Sequence, residues 1–355
     1  MSRGYTQTEK ENRTLINRLI LPAVAAASLA GVAFAALSLT GAGATFPYPM
    51  YSKWFNEYNK LHPDIQINYQ SRGSGAGVQQ VTEGTVDFGA SDGPMNDKQL
   101  QTFKEKRGCE ALHFPTVLGA DVPVYNIPGV TADLNFTPAA LAGIYLGKIT
   151  RWNDPEIAKA NPKVKLPSND IVVVHRAEAS GTTYIWVDYL SKISPEWKQK
   201  VGVAAAVQWP VGLGGQGNEG VSGQVKQTEN SIGYVELIYA IQTKMPYGNV
   251  QNSSGNFVKA DLASVTAAAA GAAANMPADF RVSITNAPGK DAYPISSFTW
   301  LLIPSHIGDA NKKKAIVDFL HWMLGPGQKM TAGLSYAELP KQVIAQEEKA
   351  ISKIQ

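Results

Sequence analysis

The chain has 355 residues, more than one small core accommodates and enough for two domains of ~100–200 residues each. With 44% hydrophobic and 17% charged residues, 32 Gly and 21 Pro, it can bury a core, which excludes wholesale disorder. Lys+Arg 32 against Asp+Glu 29 leaves +3, far from the dense basic face of a nucleic-acid binder, and the single Cys109 with five scattered histidines excludes a disulfide framework and a Cys/His zinc site.

At the N-terminus, Arg3, Lys10, Arg13 and Arg18 precede an uncharged run from Leu19 to Leu39 that contains Ala33-Phe34-Ala35. That order predicts a secretory signal peptide over 1–35, cleaved after Ala35. The run is also long enough to span a bilayer, so a retained membrane anchor is the alternative, weakened by Pro22, Gly31 and the many alanines. Loss of residues 1–35 removes four basic and two acidic side chains and lowers +3 to +1. Export into an oxidising compartment leaves Cys109 without a partner, and no role is assigned to it.

From Pro47 onward, Tyr51, Trp54, Phe55, Tyr58 and Leu61 recur at three and four residues, which predicts a helix of about four turns stopped by Pro63. Ile65, Ile67 and Tyr69 then alternate as a strand. Gly73-Ser74-Gly75 turns the chain, Val78 and Val81 mark a short helix, and Val86–Ala90 reads as the next strand, so a parallel α/β unit is expected. The pattern repeats at the strand Ile171–Val174 and a helix with inner face Ile185, Trp186, Tyr189, Leu190 and Ile193. The Ala-rich stretch Ala263–Ala274 has little to bury and is expected as a surface helix or loop. Ile295–Ile303 reads as a strand, followed by a helix burying Ile316, Phe319, Leu320 and Met323, with Lys312-Lys313-Lys314 as its solvated start.

Three of these helices begin in Gly/Ser/Thr turns: TGAGATFPYP (40–49), RGSGAG (72–77) and HRAEASGTT (175–183). A helix N-terminus offers free N–H groups and the positive end of its dipole, and Gly lets a ligand approach the backbone, so each is a candidate anion site. Taken singly, each reads first as an ordinary N-cap. The third is strengthened by Arg176, four residues before Ser180, because a guanidinium binds an oxyanion through two parallel bonds.

Other signatures fail. Gly215-Gln216-Gly217-Asn218-Glu219-Gly220 fits G-x-G-x-x-G, with Glu236 at the spacing of a ribose-binding acid, but Trp209-Pro210-Val211-Gly212 leaves no room for the buried strand such a motif needs. No G-x-S-x-G and no G-x-x-x-x-G-K-[ST] occurs, and His62, His113, His175, His306 and His321 form no i, i+4 pair.

TGAGATFPYPMYSKWFNEY (40–58), VDFGASDGPM (86–95), IYLGKITRWNDPEIAKANP (144–162), RAEASGTTY (176–184), WPVGLGGQGNEGV (209–221) and SIGYVE (231–236) together resemble the bacterial periplasmic phosphate-binding proteins, the substrate-binding components of phosphate ABC importers. The resemblance runs from about Leu39 to about Pro340. It implies an α/β, two-lobed periplasmic binding protein (type II) with a double-crossover hinge: lobe 1 over 36–116 plus 290–355, lobe 2 over 117–289. It further implies a periplasmic monomer that is not an enzyme, without cofactor, metal or nucleic acid, whose partners are inorganic phosphate and the importer's membrane permease subunits. The implied phosphate contacts are Thr45, Phe46, Ser74 and Asp92 on one side, and Arg176, Ser180, Gly181 and Thr182 on the other. The Gly-rich loop near Gly215 is implied to be structural or partner-facing. The family commonly has Asp two residues after the arginine, where this chain has Glu178, which leaves the support of Arg176 open.

A carboxylate beside an anion makes sense if Asp92 accepts a hydrogen bond from the O–H that phosphate keeps at neutral pH and sulfate lacks. The alternatives are a binding protein for another tetrahedral oxyanion, such as sulfate or molybdate, for which an acid at position 92 is not expected, and a secreted phosphatase, for which no nucleophile or metal cluster is readable.

Overall fold

In the computed structural model, Met1 and residues 36–355 are described, so the expected signal peptide and its anchor alternative lie outside the described residues. Strand β1 (Leu37–Gly43), helix α1 (Tyr48–Leu61), β2 (Ile65–Ser71), α2 (Ser74–Glu83) and β3 (Phe88–Ser91) form the expected parallel α/β unit, with β1 paired in parallel to both β2 and β3. Helix α1 forms because proline sits in its first turn, where the missing N–H costs nothing, and because Met50, Tyr51, Trp54, Phe55 and Tyr58 fall on one buried face. Trp54 Nε1 donates to the carbonyl of Gly327 at 2.8 Å, which ties α1 to the C-terminal segment.

After α3 (Asp97–Arg107) comes β4 (Ala111–Asn126), a 16-residue strand that the sequence pattern does not reveal, because Pro115, Gly119, Asp121 and Pro123 interrupt any alternation. A shift in the ladder at Thr299/Trp300 accommodates the first proline: Thr299 faces Val117, and Trp300 faces Pro115. The chain continues through β5 (Asn135–Phe136), α4 (Pro138–Tyr145), α5 (Pro155–Ala160), β6 (Val172–Arg176), α6 (Gly181–Ile193), α7 (Pro195–Lys200), β7 (Leu213–Gly215), α8 (Gly217–Gln227), β8 (Ser231–Glu236) and α9 (Leu237–Thr243). It ends with β9 (Asn249–Gln251), β10 (Phe257–Val258), α10 (Leu262–Ala273), β11 (Ser296–Pro304), α11 (Ala310–Trp322) and α12 (Lys341–Ile351).

The main sheet has the order β2-β1-β3-β11-β4-β8-β6-β7, and β5, β9 and β10 form a small sheet of their own. Strand β4 is shared by both halves of the main sheet. Its residues Ala111–Ala120 pair with β11, whereas Asp121–Asn126 pair with β8, so the ladder changes partner between Ala120 and Asp121. Each half has its own aromatic core. Tyr51, Phe55, Tyr69 and Phe319 cluster in one, and Tyr145, Trp186, Trp209 and Tyr234 in the other.

Three expectations are corrected. The Ala-rich stretch is a surface helix, but it does bury a face: Val265, Ala268, Ala269 and Ala273 of α10 pack toward β4 and β11, because small side chains let its backbone approach closely, while Ala263, Thr266 and Ala270 stay exposed. A strand does precede Gly217: β7 is three residues long, parallel to β6, and buried only at Gly215. The lysine run is not wholly solvated, since Lys312 Nζ pairs with Asp87 Oδ1 at 2.8 Å. Among the described residues, no helix is long and apolar enough to cross a membrane.

Candidate anion-binding site

The three helix starts singled out in the sequence lie at the inner ends of β1, of β2 and of β6. Beyond β1, Ala44 N–H donates to the Ala90 carbonyl and the chain enters α1 through Thr45-Phe46-Pro47. Beyond β2, Gly73 adopts φ 92°, a conformation open to glycine, and α2 begins at Ser74 without a side-chain cap. Beyond β6, Ser180 caps α6 by accepting the N–H of Thr183 at 3.2 Å.

Thr45, Phe46, Ser74, Asp92, Arg176, Ser180, Gly181 and Thr182 are all buried. Ser74 and Asp92 bond directly: Ser74 Oγ donates to Asp92 Oδ2 at 3.2 Å, and the N–H of Asp92 lies 3.1 Å from Ser74 Oγ. Thr299 Oγ1 donates to Asp92 Oδ1 at 2.7 Å. Burial pushes the Asp92 carboxyl up to about 7, against the opposing pull of the Thr299 hydroxyl, the Arg176 charge and the Ser74 hydroxyl.

On the facing wall, Arg176 is 3% exposed, and three of its five guanidinium N–H groups have partners. Its Nη1 donates to Thr182 Oγ1 at 3.0 Å, its Nε to Glu178 Oε1 at 2.9 Å, and its Nη2 to the same carboxylate oxygen. Gly217 N–H also donates to Glu178 Oε1, at 3.1 Å. Glu178 therefore reaches the guanidinium despite its extra methylene, which answers the question the sequence left open. The two walls touch. Gly75 N–H donates to the Ala179 carbonyl at 3.0 Å, and the backbone of Gly181 lies against Ser74 and Asp92. Phe46 packs beside Tyr336, whose hydroxyl donates to the Phe46 carbonyl at 2.6 Å.

Sequence reasoning missed Asn218 and Thr299. Asn218 belongs to the Gly-rich segment expected to be structural or partner-facing; its Nδ2 donates to Thr45 Oγ1 at 2.7 Å and to Thr182 Oγ1 at 3.1 Å, so it bridges two of the expected contact residues. The G-x-G-x-x-G match, set aside as a dinucleotide signature, marks a place where the backbone packs closely: a Cβ at Gly215 would fall 2.8 Å from Val221 N. Tyr239 supports the same wall by donating to the Thr45 carbonyl at 2.6 Å. A cleft of about 930 Å³, lined in part by Ser74, Gly181, Tyr184, Asp97 and Arg281, opens beside the buried cluster. Among the described residues, no group of three His, Cys, Asp or Glu is arranged to hold a metal ion. The arrangement suits a small anion: many neutral donors, one guanidinium and one carboxylate able to accept a proton.

Comparison with known proteins gives the same direction. A family model described as the PBP superfamily domain matches residues 28–326. The phosphate-binding protein PstS of Xylella fastidiosa (strain Temecula1) is 45% identical over 311 residues, covering 87% of this chain and 84% of that protein. PstS of Pasteurella multocida is 44% identical over 310 residues, covering 87% and 88%. The crystal structure of a phosphate-binding protein from Stenotrophomonas maltophilia shares the fold, with a TM-score of 0.69 at 21% identity over 88% of this chain and 94% of that one. The α/β class and the two-lobed arrangement stand as the sequence predicts. The chain belongs to the PBP superfamily and, within it, to the family of the PstS phosphate-binding proteins.

Proposed function

We propose that this protein captures inorganic phosphate between its two lobes and hands it to the membrane permease of an ABC importer, acting in the periplasm as a monomeric binding protein rather than an enzyme. The observation that carries this reading is the buried meeting of Ser74–Asp92 with Arg176–Thr182 around Gly181. The 40–45% identity to PstS proteins supports it. Thr45, Phe46, Ser74, Asp92, Arg176, Ser180, Gly181 and Thr182 are the proposed phosphate contacts, with Asp92 accepting the phosphate O–H.

The proposed lobes are 36–116 plus 290–355, and 117–289. The change of ladder partner at Ala120/Asp121, close to the proposed crossing, supports this division, as does the Asp121 N–H bond to the Ile295 carbonyl at 2.9 Å beside the return crossing. Because the proposed contacts are buried, phosphate enters only if the walls part, which is hinge motion about these crossings. Isothermal calorimetry of the chain from Ala36 with phosphate and with sulfate tests the reading. A single phosphate site with sulfate at least ~10-fold weaker is expected from an unpaired buried carboxylate and lone-pair repulsion. No heat with phosphate, or equal affinity for both anions, overturns it.

A further inference from the structure

Asn218 is fully buried, and its amide orientation is set by its surroundings. Its Oδ1 accepts the backbone N–H of Glu236 at 2.9 Å, and a backbone N–H can only donate, so Nδ2 must face the two hydroxyls at 2.7 and 3.1 Å. Both Nδ2 hydrogens are then used, one on Thr45 and one on Thr182. A hydroxyl has two lone pairs and one proton. On Thr182 Oγ1 both acceptor positions are occupied by donors that cannot accept in return, Asn218 Nδ2 and Arg176 Nη1. Thr45 Oγ1 receives Nδ2 and, at a longer 3.4 Å, the backbone N–H of Asn218 itself. Neither hydroxyl can give its own proton to Asn218 or Arg176. Each is left as an obligate donor.

We propose that Asn218 is a positioning residue that sets the polarity of Thr45 and Thr182, so that two freely rotating hydroxyls become fixed donors suited to the unprotonated oxygens of phosphate, which only accept. This rests on the phosphate reading above. It differs from a merely structural role because Asn218 then acts through the hydroxyls: once a hydroxyl is gone, the amide has less to contribute. The same amide joins Thr45 to Thr182 across 137 positions of sequence, so polarity is set only when the two walls are together.

The test is calorimetry with inorganic phosphate on the wild-type chain, Asn218→Ala, Thr182→Val and the double variant, with thermal midpoints measured without phosphate. Asn218→Ala is expected to weaken phosphate on the order of 10- to 100-fold, from two donors losing their orientation. In the Thr182→Val background the same change is expected to cost several-fold less. Asn218→Asp, which keeps the shape and the bond to Glu236 but turns the Nδ2 position into an acceptor, is expected to weaken phosphate further than Asn218→Ala, and it serves if the alanine variant does not fold. Affinity within twofold of wild type for Asn218→Ala, or a full additive loss in the Thr182→Val background, overturns the proposal while leaving phosphate capture intact. Failure of the wild-type chain to bind phosphate overturns both.

Discussion

The Asp92 carboxylate lies so close to Gly181 that a Cβ at position 181 would fall 2.5 Å from both Cβ and Oδ2 of Asp92. The first residue of α6 thus packs its bare backbone against the end of β3, and no side chain fits between them. Gly181→Ala is expected to hold the walls apart and weaken phosphate at least ~100-fold, because overpacking of this size is relieved only by moving backbone. Small-angle scattering should show the same radius with and without phosphate in this variant. Compaction at wild-type affinity would contradict the packing account.

Asp92 also predicts a pH dependence. Burial holds its carboxyl up at about 7, so below that pH it carries a proton that it can donate, and above it the carboxylate can only accept. Sulfate, which has no proton to give, should bind more tightly as pH falls from 8 to 5.5. Phosphate, which can share one proton with Asp92, should change much less. Asp92→Asn, a permanent donor, is expected to raise sulfate affinity relative to phosphate and remove its pH dependence. Competition calorimetry at the two pH values checks this, and an unchanged ratio in the variant would remove Asp92 from anion selection.

Glu178 Oε1 accepts from Nε and Nη2 of Arg176 and from Gly217 N–H, so it holds the guanidinium and the Asn218 loop at once. Glu178→Ala is expected to weaken phosphate on the order of 10- to 100-fold by releasing a buried charge-assisted bond. Glu178→Asp, which keeps the charge beside Arg176 although it draws the carboxylate back from both partners, is expected to lose less than ~10-fold. Equal losses in the two variants would mean that charge beside Arg176 is not what matters.

Asp121 and Glu236 face each other across β4 and β8 and are both fully buried. Glu236 Oε2 accepts the N–H of Ile238 at 2.7 Å, whereas neither Asp121 oxygen has a hydrogen-bond partner within the described residues. Burial first, then the charges of Asp92 and Glu236, push the Asp121 carboxyl well above its ordinary value, and burial does the same for Glu236. With folded values above unfolded ones, both groups take up protons on folding. Their contribution is fully present below the unfolded carboxylate value of ~4 and is lost as pH rises toward the folded values. Asp121→Asn should therefore raise stability at pH 8 relative to pH 4 by about 1–3 kcal/mol, because the amide stays neutral where the carboxyl must hold a proton above its ordinary range. Denaturant unfolding at both pH values checks this; a gain of equal size at pH 4 would show that charge is not the cause.

Local physics made much of the fold legible. Tyr51, Trp54, Phe55 and Tyr58 recur at helical spacing and bury one face of α1, and Ser180 caps α6 by the bond its residue type predicts. Strand β4 was hidden because its prolines and Asp121 erase the alternation that marks a strand; pairing on both sides supplies what propensity does not. The buried face of α10 is hidden in the sequence for the opposite reason. Alanine carries little hydrophobic signal, yet its small size permits the close packing that buries it.

By itself the sequence determined the family and three helix starts rich in neutral donors with one arginine near the third. Those are properties of residue type and short spacing. Only the tertiary structure decided that Asn218 of a discounted Gly-rich loop bonds Thr45, 173 residues away, that Glu178 holds Arg176 despite its extra methylene, and that Gly181 is the point where Asp92 meets the opposite wall. Such contacts depend on how β4 carries the chain from one half-sheet to the other, and no periodicity or motif in a single segment encodes that distance. The near-neutral charge that first excluded a basic binding face fits this outcome, since the cluster assembled in three dimensions is mostly uncharged N–H and O–H donors.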